Sequence, residues 1–149
     1  RPKSDIWKVY VSHDLNGEYG HPAHIAAARA ALTAAKAAAD PGRFPASAAR
    51  FGAYALPKLY LHLYPEGRLV LPWDAPLPRF SGATGLEVAQ LAFSQHASQA
   101  DRFSVKDKGK YASTRFGLAH SLVGPDIRGA CFFENLGSCP GCPGPCLAR

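Results

Sequence analysis

Apolar side chains are concentrated in three stretches of the first half of the chain, and each stretch predicts one element. Residues 6–12 (Ile-Trp-Lys-Val-Tyr-Val-Ser) are rich in β-branched and aromatic side chains and predict a buried strand. Residues 58–64 alternate aliphatic and aromatic side chains and predict a second strand. Residues 22–39 are mostly alanine, the best helix former, so we expect a helix that starts at His21 and stops at the Asp-Pro-Gly of residues 40–42.

The second half of the chain predicts one further helix among loops. Thr84 is placed to cap a helix whose apolar residues recur at helical spacing as far as about Arg102. Prolines and a glycine in residues 70–82 predict an extended surface loop. Residues 43–55 predict an irregular segment, and residues 103–130 predict short elements around positions 111 and 116.

The order strand, helix, strand, helix predicts α/β layering with parallel strands. Two strands are too few for an independent parallel sheet, because such a sheet needs both of its faces covered. We therefore expect the remaining strands to lie in a missing N-terminal part. The chain contains no methionine, which also indicates a piece of a longer protein.

Composition narrows the class of protein. The 149 residues are 47% hydrophobic and 19% charged, which suits one folded domain, and no apolar run is long enough to span a membrane. The formal net charge is +6, but the densest basic cluster, residues 106–110, also contains an acid. We therefore expect a solvated loop there and no nucleic-acid partner, while the basic balance favours an anionic substrate.

The sharpest chemical feature is the pair His21 and His24, at the junction of a loop and the predicted helix. Two imidazoles three residues apart can face one site, and neutral imidazole is a good zinc ligand. By itself the pair is better explained as incidental, because one metal normally needs three or four ligands. Gly17, Tyr19 and Gly20 beside it favour a functional loop.

The run from Asn16 to His24 resembles the second signature of the PIG-L/LmbE-like metal-dependent N-deacetylases. That family includes N-acetylglucosaminylphosphatidylinositol de-N-acetylases and deacetylases of mycothiol and bacillithiol precursors. The similarity continues in the same order at residues 58–60, at His-Ala-Ser-Gln of 96–99, and at residues 116–118, 123–126 and 132–135. On this basis residues 1–136 are identified as the C-terminal part of such a deacetylase domain, followed by a Cys/Pro/Gly-rich tail at 137–149.

The resemblance implies a Rossmann-like, three-layer α/β fold of which this chain is an incomplete C-terminal portion. It implies zinc or another divalent metal, and removal of an N-acetyl group from an amino sugar, sugar conjugate or glycolipid. His24 would be a metal ligand, His21 would stabilise the oxyanion or protonate the leaving amine, and Tyr19 would approach the substrate carbonyl. His96 and Gln99 would bind substrate.

Two departures from the family pattern bear on activity. The other two metal ligands and the general-base Asp come from a His-Pro-Asp-Asp-Glu-like motif, which this chain lacks. We therefore expect the isolated chain to be inactive and to bind zinc weakly. Ala23 replaces an Asp that orients the neighbouring imidazole, which should weaken acid catalysis by His21. The alternative to an enzyme is a non-enzymatic carbohydrate-binding or structural derivative of the same fold.

Several other histidines keep two interpretations. His96 lies among alanine and phenylalanine, where a hydrogen-bonded core histidine is as good an interpretation as a site residue. His13 and Asp14 follow the first strand, where α/β folds gather site residues, although turn formation is the commoner explanation. His62 and His120 have no partner visible in sequence and are assigned no role.

The cysteines leave the cellular compartment open between a secreted, an endoplasmic-reticulum-associated and any other location. Their spacing suggests zinc, but the intervening prolines and glycines lack the usual paired knuckles. Disulfides in a secreted protein, or an inert tail, are therefore better explanations than a zinc site for the four cysteines, Cys131, Cys139, Cys142 and Cys146.

Overall fold

The computed structural model describes residues 8–99, 102–129 and 131–137. Most of the predicted Cys/Pro/Gly-rich tail, from residue 138 onward, lies outside the described residues, as do residues 6 and 7 of the first predicted strand. The chain divides into two compact units. One unit contains residues up to Leu69 and from Phe116 onward, and the other contains residues 70–115.

The first unit begins with strand β1, Val9–Ser12, a one-turn element α1, Gly17–Gly20, and helix α2, Pro22–Ala37. The alanine-rich helix is confirmed, with His21 as its extended N-cap residue and Pro22 in its first turn. Methyl side chains let this helix approach the sheet closely. Its core contacts are made by Ala28 and Ala35, which pack against Leu59 and Leu61 of the next strand.

Strand β2, Lys58–His62, is the centre of the core, and its first four residues are buried. It pairs in parallel with β1, with Ser12 opposite Leu61, as the sequence predicts. It ends at His62 rather than at residue 64, because Leu63 turns the backbone to a φ of 55°. The expectation that β1 is buried is wrong, since Tyr10 is 39% and Val11 42% exposed.

Two further strands complete the described sheet. The sequence predicts a short element around position 116 without its type, and no strand at residues 68–70. Strand β3, Arg68–Val70, and strand β4, Arg115–Ser121, give the order β1-β2-β4-β3. Strand β4 pairs antiparallel with β2. The sheet is therefore mixed, which corrects the expectation of parallel strands whose further neighbours all lie outside the chain. The α/β class itself is confirmed.

Gly117 explains why the short element predicted around position 116 is not recognisable as a strand from its sequence. Glycine weakens a strand pattern, yet here the backbone requires it. A Cβ atom at Gly117 would lie 2.3 Å from the carbonyl oxygen of Tyr64 and 2.4 Å from that of Glu66. The turn that precedes β3 therefore packs directly on the backbone of β4.

Helix α3, Pro45–Phe51, corrects the prediction that residues 43–55 are irregular. Pro45 lies in its first turn, where the missing N–H costs no hydrogen bond, and Gly52 ends the helix with a φ of 83°. Proline and glycine in this segment suggest a loop, but Pro45 and Gly52 lie at the two ends of a short helix. No helix among the described residues is long and apolar enough to cross a membrane.

The second unit contains helix α4, Gly85–Ser94. Thr84 caps it as predicted: its hydroxyl accepts from the Glu87 N–H at 3.2 Å, and Glu87 Oε2 accepts from the Thr84 N–H at 2.7 Å. The helix stops short of the predicted Arg102, because the N–H of His96 reaches back three residues and the polar residues that follow form turns. Residues 70–82 are mostly loop, as predicted, with a 3-10 turn at Pro78–Phe80.

Candidate active site

The carboxyl ends of β1 and β2 and the start of α2 meet at one edge of the sheet. His13 directly follows β1, His62 ends β2, and His24 lies in the first turn of α2. Neighbouring parallel strands bring their carboxyl ends to the same edge, where open α/β sheets build their binding sites. Three histidines far apart in the sequence therefore converge.

The turn α1 carries a carboxylate, that of Glu18, into this group. Glu18 has a φ of 57°, a conformation that residues with side chains rarely adopt. Buried Asp14 holds the turn, since its Oδ2 accepts from the Glu18 N–H at 3.3 Å and its own N–H donates to Glu18 Oε1 at 3.2 Å. Gly17 packs so tightly that a Cβ there would lie 2.8 Å from Ile25 Cγ1.

Glu18 lies between two imidazoles. Its Oε2 is 2.7 Å from His24 Nδ1, and its Oε1 is 2.9 Å from His62 Nδ1. Burial raises the pKa of Glu18, but the hydrogen bonds from His62, His24 and the Asp14 backbone outweigh it and lower the pKa below the ordinary 4.5. At neutral pH the carboxylate is therefore ionised, and an ionised carboxylate accepts hydrogen bonds without donating any.

The residues assigned through the family resemblance also lie here. The His21 ring centroid is 4.5 Å from that of His24, and the Tyr19 ring is 5.9 Å from each of them. The His13 ring stacks on His24, with centroids 4.0 Å and planes 10° apart. Tyr19 and His21 are exposed, while the His24 side chain is 28% exposed, so the cluster opens to solvent on the Tyr19 side.

Three side chains of this cluster offer ligand atoms within 4.8 Å of one another: His13, Glu18 and His24. Two imidazoles and one carboxylate are a donor set that catalytic zinc sites use. Of the three, the His24 imidazole, with Nδ1 bonded to Glu18 and Nε2 left as its ligand atom, fits the divalent metal that the resemblance implies.

His96 and Gln99 belong to the second unit. Both are exposed, which shows that the interpretation of His96 as a core histidine is wrong. His96 follows the end of α4, where its N–H donates to the Phe93 carbonyl at 2.9 Å and its ring lies 5.7 Å from the Phe93 ring. The Gln99 N–H donates to the His96 carbonyl at 2.8 Å.

The residue pattern alone indicates no role for Glu18 or His62. Glu18 is one letter of the motif, and His62 has no partner visible in sequence. A usable signal was present, because both predicted parallel strands run into a histidine at their carboxyl ends. The contact itself depends on the register that sets Ser12 opposite Leu61 and on the unusual backbone of Glu18.

A second polar group lies at the other end of β2 and is fully enclosed. Lys58 donates to Asp126 Oδ1 and, at 3.0 Å, to the Glu134 carbonyl, while the Tyr60 hydroxyl donates to Asp126 Oδ2. Lys58 and Tyr60 are 0% exposed. The carboxylate of Glu134 accepts backbone N–H groups at 2.7–3.0 Å from Ile127, Arg128 and Gly129. These bonds fasten the chain after β4 to β2.

The pKa values in this enclosed group shift in the directions that such contacts require. Burial raises the pKa of Tyr60, and the hydrogen bond to Asp126 raises it further. Burial also raises the pKa of Glu134, but the three backbone N–H groups outweigh that effect and lower the pKa below 4.5. The Tyr60 hydroxyl therefore keeps the proton that it donates to Asp126, and Glu134 stays ionised and accepts from the backbone. These contacts indicate a structural role.

Two curated relatives match the chain. The 1D-myo-inositol 2-acetamido-2-deoxy-alpha-D-glucopyranoside deacetylase 1 of Catenulispora acidiphila is 44% identical over 128 residues, which are 86% of this chain and 32% of that protein. The corresponding deacetylase of Geodermatophilus obscurus is 44% identical over 62 residues, which are 42% of this chain and 20% of that protein. No family model and no solved structure matches the chain significantly.

Both relatives are deacetylases by name. Over 86% of its length the chain is similar to part of the first of these deacetylases, which confirms the resemblance seen in its motifs. It spans about a third of the length of the first relative.

Proposed function

We propose that the chain is part of a zinc-dependent hydrolase that removes the N-acetyl group from an amino sugar conjugate. The observation that carries the proposal is the gathering of Tyr19, His21 and His24 at one strand edge, in a chain 44% identical to 2-acetamido-2-deoxy-glucopyranoside deacetylases. The described sheet and α2 would form part of a Rossmann-like, three-layer fold.

The residue of this chain that would hold the metal is His24. Its Nδ1 is bonded to Glu18, so the nitrogen available for a metal is Nε2. Zinc, when bound, polarises an acetamide carbonyl and lowers the pKa of a coordinated water toward about 7. The chain contains no His-x-Asp-Asp motif, so in this proposal the remaining ligands and the general base come from residues outside it.

Tyr19 and His21 would meet the charge that develops on the substrate. A tetrahedral oxyanion is stabilised by donors that are in place before the reaction, and a hydroxyl and an imidazole are suitable donors. Both side chains are exposed next to His24, where a sugar acetamide can reach them. The assignment of His96 and Gln99 to substrate binding rests on the resemblance.

Ala23 favours a second candidate, a carbohydrate-binding or structural derivative of the fold. The family has an aspartate at this position, and a carboxylate partner normally fixes the tautomer of a catalytic imidazole and raises its basicity. Among the described residues, no carboxylate is hydrogen-bonded to the His21 ring. A protein with this substitution can therefore keep the sugar site while losing the acid that completes the reaction.

The full-length protein separates the two candidates. Purified with zinc, it should release acetate from N-acetylglucosaminyl inositol, and a chelator should abolish the release until zinc is restored. The matched control is the same sugar conjugate without its acetyl group, which should bind without reacting. Saturable sugar binding without acetate release, at full zinc occupancy, would identify the non-enzymatic derivative.

A further inference from the structure

We propose that Glu18 is a positioning residue that holds the His24 and His62 rings in their Nδ1–H tautomers. Each ring then carries its lone pair on Nε2. The inference rests on the proposed function, because it concerns the nitrogen that His24 presents to a metal.

The carboxylate geometry carries the argument. Each oxygen of Glu18 is hydrogen-bonded to one ring nitrogen, at 2.7 Å for His24 Nδ1 and 2.9 Å for His62 Nδ1. His13 Nδ1 lies 3.6 Å from Oε1, beyond hydrogen-bond length. An ionised carboxylate has no proton to give, so each neutral imidazole bonded to it must be the donor. A neutral imidazole with its proton on Nδ1 has its acceptor and ligand site on Nε2. One side chain therefore sets two tautomers at once.

The competing assignment makes Glu18 a metal ligand together with His13 and His24. Their ligand atoms are close enough, at 4.8 Å or less. The ring geometry argues against it, because a metal bound to an imidazole lies near the plane of that ring, and the His13 and His24 planes are stacked 4.0 Å apart at 10°. Nearly parallel planes at that separation do not converge on one ion. Both oxygens of Glu18 are also already acceptors for imidazoles.

The local backbone supports a role for the side chain itself. Glu18 has a φ of 57°, where glycine would be free of strain. Its carboxylate is only 12% exposed, and Asp14 holds it from the backbone side at 3.2 Å. A strained residue whose carboxylate is fixed at three points is typical of a site that needs this group in one position.

The test measures tautomers in the zinc-free full-length protein. Long-range proton–nitrogen NMR spectra at about pH 8, above the ordinary titration range of histidine, should show Nδ1–H for both rings. Glu18→Gln keeps the shape but turns one oxygen into a donor, so one of the two rings must accept and move its proton to Nε2. Glu66→Gln, at an exposed glutamate of the same unit, is the matched control and should change neither tautomer.

Zinc affinity gives a second readout that does not depend on turnover. Glu18→Gly keeps the positive φ without strain and removes the carboxylate, so it should fold and bind zinc about 10–100-fold more weakly, the effect of losing a carboxylate behind a ligating histidine. An Nε2–H tautomer of His24 in the unsubstituted protein overturns the proposal. So do unchanged tautomers in Glu18→Gln combined with unchanged zinc affinity in Glu18→Gly. If the tautomers and affinity behave as expected and no acetate is released, the proposed function fails and the positioning role stands.

Discussion

Replacing Lys58 by Met should strongly lower the free energy of unfolding, although Lys58 lies outside the histidine cluster. The Lys58 side chain is 0% exposed and that of Asp126 1% exposed, so the substitution leaves a buried carboxylate with the Tyr60 hydroxyl as its donor. Removing one partner of a buried ion pair typically costs about 3–5 kcal/mol. The matched control is Lys8→Met at an exposed position, which should change the free energy of unfolding by less than about 0.5 kcal/mol.

The double variant Lys58→Met/Asp126→Asn tests the cause of that loss. It removes both charges and keeps an oxygen that can accept from Tyr60, so its cost should be below the sum of the two single costs by about 1–3 kcal/mol. Guanidinium unfolding of the intact protein, followed by circular dichroism, gives the four free energies by linear extrapolation. A Lys58→Met cost below about 1 kcal/mol, or strictly additive costs, would refute the buried-pair argument.

The remaining predictions concern pH and the two family histidines. Because the folded-state pKa of Glu134 is lowered, its stabilisation is present above pH 4.5 and is lost as the pH falls through the lowered value; acid unfolding of Glu134→Gln should lack that component. Because the pKa of Tyr60 is raised, stability should fall as the pH rises above about 10, and Tyr60→Phe should remove this alkaline loss. In the full-length protein, if the proposed function holds, His24→Ala should lose zinc and activity together, whereas His21→Ala should keep zinc and lower kcat about a hundredfold. Ala23→Asp should raise kcat at constant zinc content, and metal loss in His21→Ala instead would reverse the two assignments.

The elements that the sequence predicted are those whose cause is local. Alanine propensity fixes α2, β-branched and aromatic residues mark β1, and alternating aliphatic and aromatic residues mark β2, while Thr84 with Glu87 caps α4. The element around position 116 was predicted, but its strand character was not, because the carbonyl groups that require glycine at position 117 belong to the 64–67 turn, which is distant in sequence. Local patterns carry no information on such a contact.

In the candidate site, too, the sequence indicates the residues that are close together along the chain and misses those that the fold brings together. Tyr19, His21 and His24 lie within six residues and form a recognisable motif, so the sequence alone indicated them. Glu18 and His62 are 44 positions apart and meet through strand register. The motif therefore indicates the residues that are neighbours in sequence, whereas Glu18 and His62 are recognised as partners only in the folded chain.

The buried alanines of α2 set the distance between this helix, which carries His24, and β2, which carries His62. Ala28 lies one helical turn after His24 and is 0% exposed against Leu59 and Leu61 of β2, the strand that ends in His62. The size of one methyl group therefore sets the gap across which Glu18 joins the two imidazoles. A larger side chain at Ala28 would move the helix away from β2 and lengthen the distances from Glu18 to the two imidazoles. Packing in the hydrophobic core therefore controls the geometry of the histidine cluster.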